Sequence, residues 1–414
     1  MQHFQGLIGL AFIIGICMAF SADRKAISPS LVIRSLVLQL ALALLLLKMP
    51  GSQHLFWFLN EGIAVLQSAT HAGTSFIFGY IGGATPPYTV TNETASLVLA
   101  FQTLPMVIVI SVLSGLLIYW GILPFILRLM SGLLEKTLKI GGAPGFAIAA
   151  NAFLGMVEAP LLIRPYLARL SSPELFSVMV AGMATIAGSM MAIEAAVIGN
   201  VVPNAVGHLL SASLITLPGV IYISHLMMPN TGGETQREGS VDRGGNSVMD
   251  VIASSTQVGL QMVMNIIAMI IVVVALVYLL NAALGLLPDL AGRPISMEGL
   301  LGYALAPLSW LLGIPWSEAL LAGELLGTKT VLTEFLAYVR LGELPVDALS
   351  LRSRTIMTYA LCGFANFISL GIMVTGLITI IPERRDEVLR FGMKSLVAGS
   401  LATFTSACIA GLLI

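Results

Sequence analysis

Three acids stand where acids are costly: Glu158, Glu194 and Glu334 each lie in a stretch that is otherwise apolar enough to enter a bilayer. A charged side chain at bilayer depth costs roughly 2.5–3.5 kcal/mol on insertion scales, so each is expected to face protein or a water-filled cavity. The most informative stretch is residues 151–167, NAFLGMVEAPLLIRPYL, which sets Glu158 among two prolines and Arg164. A second, GTKTVLTEFLAY, carries Lys329 and Glu334. Buried carboxylates can accept hydroxyl hydrogens, hold a cation or carry a proton. The plainer alternative is an internal ion pair, Glu158 with Arg164 or Glu334 with Lys329, that locks each segment.

The elements that must position these acids are membrane helices. The chain has 414 residues, 57% hydrophobic and 10% charged, against about a quarter charged in soluble domains. Apolar runs at 31–47, 97–118, 209–227 and 261–280 approach or reach the ~20 residues that a spanning helix needs, and strand-like alternation is absent. The first run, 7–20, lacks a basic lead-in and reads as a retained helix rather than a signal peptide. Cys17, Cys362 and Cys408 lie in apolar runs, so core packing is expected of them, not disulfides or a metal cluster. A net charge of -1 with no basic patch points away from nucleic acid as a partner.

Basic residues concentrate in short cytoplasmic loops. No Lys or Arg falls between Lys48 and Arg128, so residues 51–96 are expected outside, with the N-terminus. Within them, HLFWFLNEGIAVLQSATHAGTSFIFG is aromatic at its start and too polar to span comfortably, as for a helix lying along the interface. Residues 86–94 read as an outer loop and residues 229–246 as a long polar cytoplasmic loop between two halves. Arg340, Arg352 and Arg354 are then expected outside, against the basic-residue rule.

Residues 140–170, broken by GGAPG, Asn151, Gly155, Pro160 and Pro165, read as a re-entrant hairpin, because non-helical backbone at depth is tolerated where it lines a protein cavity. A broken helix at 174–200 and a plain span follow. Residues 296–338, interrupted at Pro307 and Pro315, read as a second hairpin from the opposite side, followed by spans at 356–381 and 389–413. The expected fold is an all-α polytopic membrane protein with about eight transmembrane helices, an interfacial helix and two re-entrant hairpins in inverted repeats, as secondary transporters use. The expected division is N-terminal scaffold helices and interfacial helix in 1–135, first hairpin and following helices in 136–228, cytoplasmic loop and lead-in in 229–257, a scaffold helix in 258–295, and second hairpin with following helices in 296–414.

At AANAFLGMVEAPLLIRPYL, VMVAGMATIAGSMMA, HLLSAS, GTKTVLTEFLAY and YALCGFANFISLGI, in that order, the sequence resembles the concentrative nucleoside transporter family, its bacterial members in particular. The resemblance runs from the first helix to the last. It implies substrate contact by Met156, Val157, Glu158, Met190, Glu334, Phe364, Asn366 and Ser369. The family pattern carries Gln and Thr before the first-hairpin Glu; here Met156 and Val157 stand in those places, so the base end departs from the pattern while Glu334, Asn366 and Ser369 keep the sugar end. For a coupling cation the resemblance implies Asn151, Leu154, Thr185 and Ile186, sodium if sodium-coupled. The buried carboxylates leave a proton as the other coupling ion, and Glu194 is not a residue the family pattern leads one to expect.

The function this implies is cation-coupled symport of a nucleoside, or a modified nucleoside, into the cell by a homotrimer in the inner (plasma) membrane, with membrane lipid around it and no cofactor beyond the coupling ion. A permease for a nucleobase is the alternative within transport. An intramembrane enzyme using Glu158 and Glu334 as acid and base is the alternative in another class, with no metal motif, nucleophile elbow or phosphate loop to accompany it. His208 and His225 are expected to pack rather than carry protons.

Overall fold

Inside a bilayer a chain must satisfy its own N–H and C=O groups, and a helix does so within one segment. The structure, a computed structural model, describes residues 2–48, 52–89, 98–230, 232, 235, 245–288 and 295–414, and their regular elements are all helical. The N-terminal part holds α1 (Gln2–Ala19), α2 (Pro29–Lys48), α3 (Ser52–Phe78), the single-turn α4 (Leu99–Gln102), α5 (Met106–Tyr119) and α6 (Ile122–Leu138). The first interrupted segment follows as α7 (Gly142–Ala150), α8 (Glu158–Leu161) and α9 (Arg164–Leu167), then α10 (Ser172–Ala184), α11 (Gly188–Ile198) and α12 (Ala205–Met227). After α13 (Val248–Leu284) come α14 (Met297–Leu311), α15 (Trp316–Val331), α16 (Glu334–Glu343), α17 (Leu351–Leu361), α18 (Phe367–Ile380) and α19 (Arg385–Leu413).

Among the described residues, six segments are long and apolar enough to cross a membrane: α2, α4 with α5, α10 with α11, α12, α13, and the run that ends in α19. α1 and α18 are shorter apolar helices, and α14 with α15 pass the same test only as a bent pair. α3 is a single helix of 27 residues that is not apolar enough to join that set, as foreseen for an interfacial helix; it packs on α12 and α5. The outer loop at 86–94 and the polar loop at 229–246 lie largely outside the described residues.

The second hairpin is more finely divided than the sequence suggests. Residues 296–338 form three helices rather than one hairpin, because Gly313, at a φ of 102° that only glycine adopts freely, and Pro315, which caps α15, stop α14. α14 and α15 are bent by 119° and pack on each other. The interruption that carries Glu334 lies further on, at Leu332 and Thr333 between α15 and α16.

The three arginines at odds with the basic-residue rule are engaged by carbonyls and one acid. Arg352 donates to Gly313 O at 2.5 Å and Gly411 O at 2.6 Å. Arg354 donates to the carbonyls of Leu341, Leu344, Leu349 and Pro345. Arg340 pairs with Glu298 at 2.6 Å. Helix ends leave carbonyls without partners, and these guanidinium groups supply them. They are structural ties rather than free loop charges.

Helices α2, α12 and α19 meet through a polar seam. Gln39 Nε2 donates to Thr405 Oγ1 at 3.1 Å and Ser406 Oγ at 3.2 Å, and Ser406 Oγ lies 2.7 Å from Thr216 Oγ1. Small hydroxyl residues let helices approach closely and bond across the interface where lipid offers no partners. The cysteines are free and buried, as expected.

Candidate functional site

Four helices stop in mid-course, after Ala150, Ala184, Val331 and Leu361, and their broken ends are tied to one another. Gly188 N–H donates to Phe153 O at 2.9 Å, joining the first break to the second. Phe364 N–H donates to Thr185 O at 3.3 Å, joining the second to the fourth. Asn366 Nδ2 donates to Glu334 Oε2 at 2.7 Å, joining the fourth to the third. A broken helix exposes backbone groups that lipid cannot satisfy, so each break is tolerable because another faces it. The approach is tight: a Cβ on Gly363 would stand 2.9 Å from Ala184 O.

Thr333 and Asn366 restart two of the helices, and Asn366 is among the residues that the family resemblance implies. Thr333 caps α16, its Oγ1 accepting Leu336 N–H at 3.2 Å, and so places Glu334 in the first turn. Asn366 caps α18, its Oδ1 accepting Ser369 N–H at 2.7 Å. One amide thus serves two elements: its carbonyl fixes a helix and its N–H groups orient a carboxylate.

A cavity of about 280 Å³ opens beside these ties, near the lower end of the roughly 300–1,000 Å³ of small-molecule sites. Met156, Val157, Glu158, Met190, Glu334, Phe364 and Ser369 all line it. Asn366 is fully buried and stands behind Glu334 instead. The lining mixes an acid-and-hydroxyl set with thioether and aliphatic surface, one suited to hydroxyl-rich groups and the other to a flat apolar ring.

A whole wall of this cavity escapes the sequence reading. α13 contributes Met262, Asn265, Ile266, Met269 and Ile270. Asn265 Oδ1 accepts from Gln261 Nε2 at 3.0 Å, leaving its own amide hydrogens available. Two amide side chains four residues apart in an apolar run were the available signal.

The acids differ in their surroundings. Glu334 is 3% exposed and held by Asn366. Glu158, at the start of α8, is half-buried and has no partner among the described residues. The ion pairs considered above do not form: Arg164 is exposed, and Lys329 Nζ donates instead to Ala360 O at 2.7 Å and Thr403 Oγ1 at 3.3 Å. His208 Nδ1 lies 3.1 Å from Tyr359 OH, and His225 Nε2 accepts Ser28 N–H at 2.9 Å, both packing contacts.

The four residues marked for a cation fall in two adjoining breaks. Asn151 caps the end of α7 and is fully buried; its Nδ2 donates to Ala147 O at 2.9 Å while its Oδ1 has no hydrogen-bond partner. Thr185 Oγ1 donates to Ala181 O at 2.9 Å, keeping its lone pairs as acceptors. Leu154 and Ile186 sit in the unwound backbone on either side of the Phe153–Gly188 bond. Hard cations take oxygen ligands, and discontinuous helices with free carbonyls are where transporters supply them. An orphaned buried amide oxygen in one break and a hydroxyl in the break tied to it are the oxygen donors that sodium takes.

Tied helix breaks around a cavity in an apolar bundle are the arrangement that secondary transporters use for their sites. Residues 8–81 and 208–411 match the families described as Na+ dependent nucleoside transporter N-terminus and C-terminus, and residues 100–201 match the one described as nucleoside recognition. The chain is 35% identical over 420 residues to the "Uncharacterized transporter YutK" of Bacillus subtilis, covering 100% of both chains. It is 34% identical over 414 residues to the nucleoside permease NupC of Helicobacter pylori, covering 99% of this chain and 97% of that protein. The structure of CNTnw in an inward-facing substrate-bound state matches with a TM-score of 0.90 at 34% identity, over 100% of this chain and 98% of that one. The chain belongs to the concentrative nucleoside transporter family, and it resides in the plasma membrane.

Proposed function

We propose that the chain imports nucleosides by symport with sodium through alternating access, assembled as a homotrimer. The observation that carries this reading is the Asn366–Glu334 bond in the cavity wall. A ribose presents vicinal hydroxyls that need acceptors, and a carboxylate whose orientation is fixed by an amide accepts them without first paying an ordering cost. Ser369 adds a hydroxyl, Phe364 a ring face, and Met156, Val157 and Met190 an apolar bed for the base. With no Gln–Thr pair to read base edges, the sugar carries most of the recognition.

Sodium at Asn151, Leu154, Thr185 and Ile186 would bridge the first-hairpin break and the α10–α11 break, stiffening the backbone from which Met156 to Glu158 reach the cavity. Coupling follows if the cation binds the substrate-competent arrangement more tightly than the other, and linkage makes the effect reciprocal. The hairpins and broken helices form the moving part, and α13, which walls the cavity from outside that set, belongs to the scaffold it moves against. The test is competition for uptake by ribose-bearing and ribose-free ligands. A site built around hydroxyl acceptors rejects ligands lacking them by factors of up to ~10⁴; equal competition by free bases would overturn the reading.

A further inference from the structure

Glu194 has no task in the site described above. It lies in α11, is fully buried, and neither of its carboxylate oxygens has a hydrogen-bond partner among the described residues. An ionised carboxylate in that position gives up its hydration and receives nothing, a situation proteins avoid by pairing the charge or neutralising it.

Its charged neighbours are Lys329 of α15 and Glu334 of α16, and Tyr338 of α16 and Cys362 beyond α17 lie within its field. α12, also packed on α11, brings His208, which is engaged with Tyr359, and carries Tyr222 and His225 further along; α5 has only Tyr119, at its far end. Lys329 forms a salt bridge with neither acid and is held by Ala360 O and Thr403 Oγ1. The buried group thus contains one ammonium and two carboxyls, and it is neutral only with one added proton. Glu334 accepts Asn366 N–H and faces the cavity as an acceptor, whereas Glu194 accepts nothing. The bonding pattern puts the proton on Glu194.

We propose that Glu194 is a proton-binding site and that its proton travels inward with the substrate, as a second coupling ion beside sodium. This rests on the reading of the cavity as the nucleoside site. Substrate entering the cavity expels water from beside Glu334, so the uncompensated negative charge of the group becomes costlier and the proton binds more tightly. By linkage the proton then tightens substrate binding. The proton comes from external water, is held as O–H on one Glu194 oxygen, and returns to cytoplasmic water once substrate has left.

The test uses the purified full chain and Glu194→Gln, each reconstituted in vesicles that enclose a pH-sensitive dye, with infrared spectra of the same preparations. Addition of uridine and adenosine under a sodium gradient should acidify the lumen with wild type. Uptake by wild type should rise further under an inward proton gradient. In Glu194→Gln both effects should be lost, and the C=O stretch of a protonated, weakly bonded carboxylic acid seen in wild type should vanish. Wild-type uptake without acidification, or acidification retained by the variant, would overturn the proposal. If the variant does not fold, wild-type acidification decides. If wild type takes up no nucleoside, the transport reading fails on its own, and a wild-type spectrum lacking the carboxylic-acid band would also remove Glu194 as a proton site.

Discussion

The two hairpins present the same residue in the same local place and prepare it differently. Glu158 opens α8 and Glu334 opens α16, each in the first turn after a break. Glu334 is buried, its helix capped by Thr333 and its carboxylate fixed by Asn366. Glu158 is half-exposed, follows an uncapped break, and has no partner among the described residues. The second hairpin is preorganised, while the first has contacts still to make, with an orphaned Asn151 oxygen beside it. Such an asymmetry is what a coupled transporter needs, because a cation can act only on the part not already fixed.

The largest effect should come from the preorganised side. Hydrogen bonds to a charged group are worth about 1.5–3 kcal/mol, so Glu334→Gln, which removes the charge and replaces one acceptor oxygen by a donor, should lower ribonucleoside uptake by about 100-fold. Size-exclusion profiles should be unchanged; uptake within a few-fold of wild type would take Glu334 out of sugar binding. Next in size is Asn151→Ala. Loss of one oxygen ligand should raise the sodium concentration for half-maximal uptake by roughly 10-fold, read from sodium titrations at fixed nucleoside, and an unaltered titration would place the cation elsewhere.

Glu158→Gln sharpens the contrast between hairpins. With no partner to lose, the variant should melt within about 0.5 kcal/mol of wild type while uptake falls about 10-fold. A clear loss of stability would mean that Glu158 holds the hairpin together. The smallest effect is expected from Met156→Gln with Val157→Thr, which should shift the ratio of pyrimidine to purine nucleoside uptake by about a few-fold. An unchanged ratio would move base recognition to other residues, with Asn265 on α13 the next to test.

The first break was legible because Asn151 and Gly155 interrupt an apolar run at 151–157, whereas the break at 185–187, Thr-Ile-Ala ahead of Gly188, is marked by the small Thr185, Ala187 and Gly188 alone. The bend between α14 and α15 was harder to place, although Gly313 and Pro315 mark it, because hydrophobic character continues across LLGIPW and hides a turn inside an apparent hairpin. Lys329 beside Glu334 in sequence suggested an ion pair. Helical geometry instead aims the ammonium at Ala360 O, a contact between distant segments that no local pattern announces. The α13 wall was marked only by Gln261 and Asn265, since which long helix lies against a cavity is decided by packing rather than by its own periodicity. The family resemblance implied the candidate site residues, seven of which line the cavity, and the structure adds that Thr333 and Asn366 are helix caps.

The measurement that bears most directly on this account is uptake by vesicles reconstituted with the purified chain, offered a mixed pool of nucleosides and free bases and read by mass spectrometry with and without an inward sodium gradient. The account expects ribose-bearing ligands to accumulate under the sodium gradient and free bases to remain outside. Accumulation of free bases in place of nucleosides, or of nothing under the gradient, would contradict it.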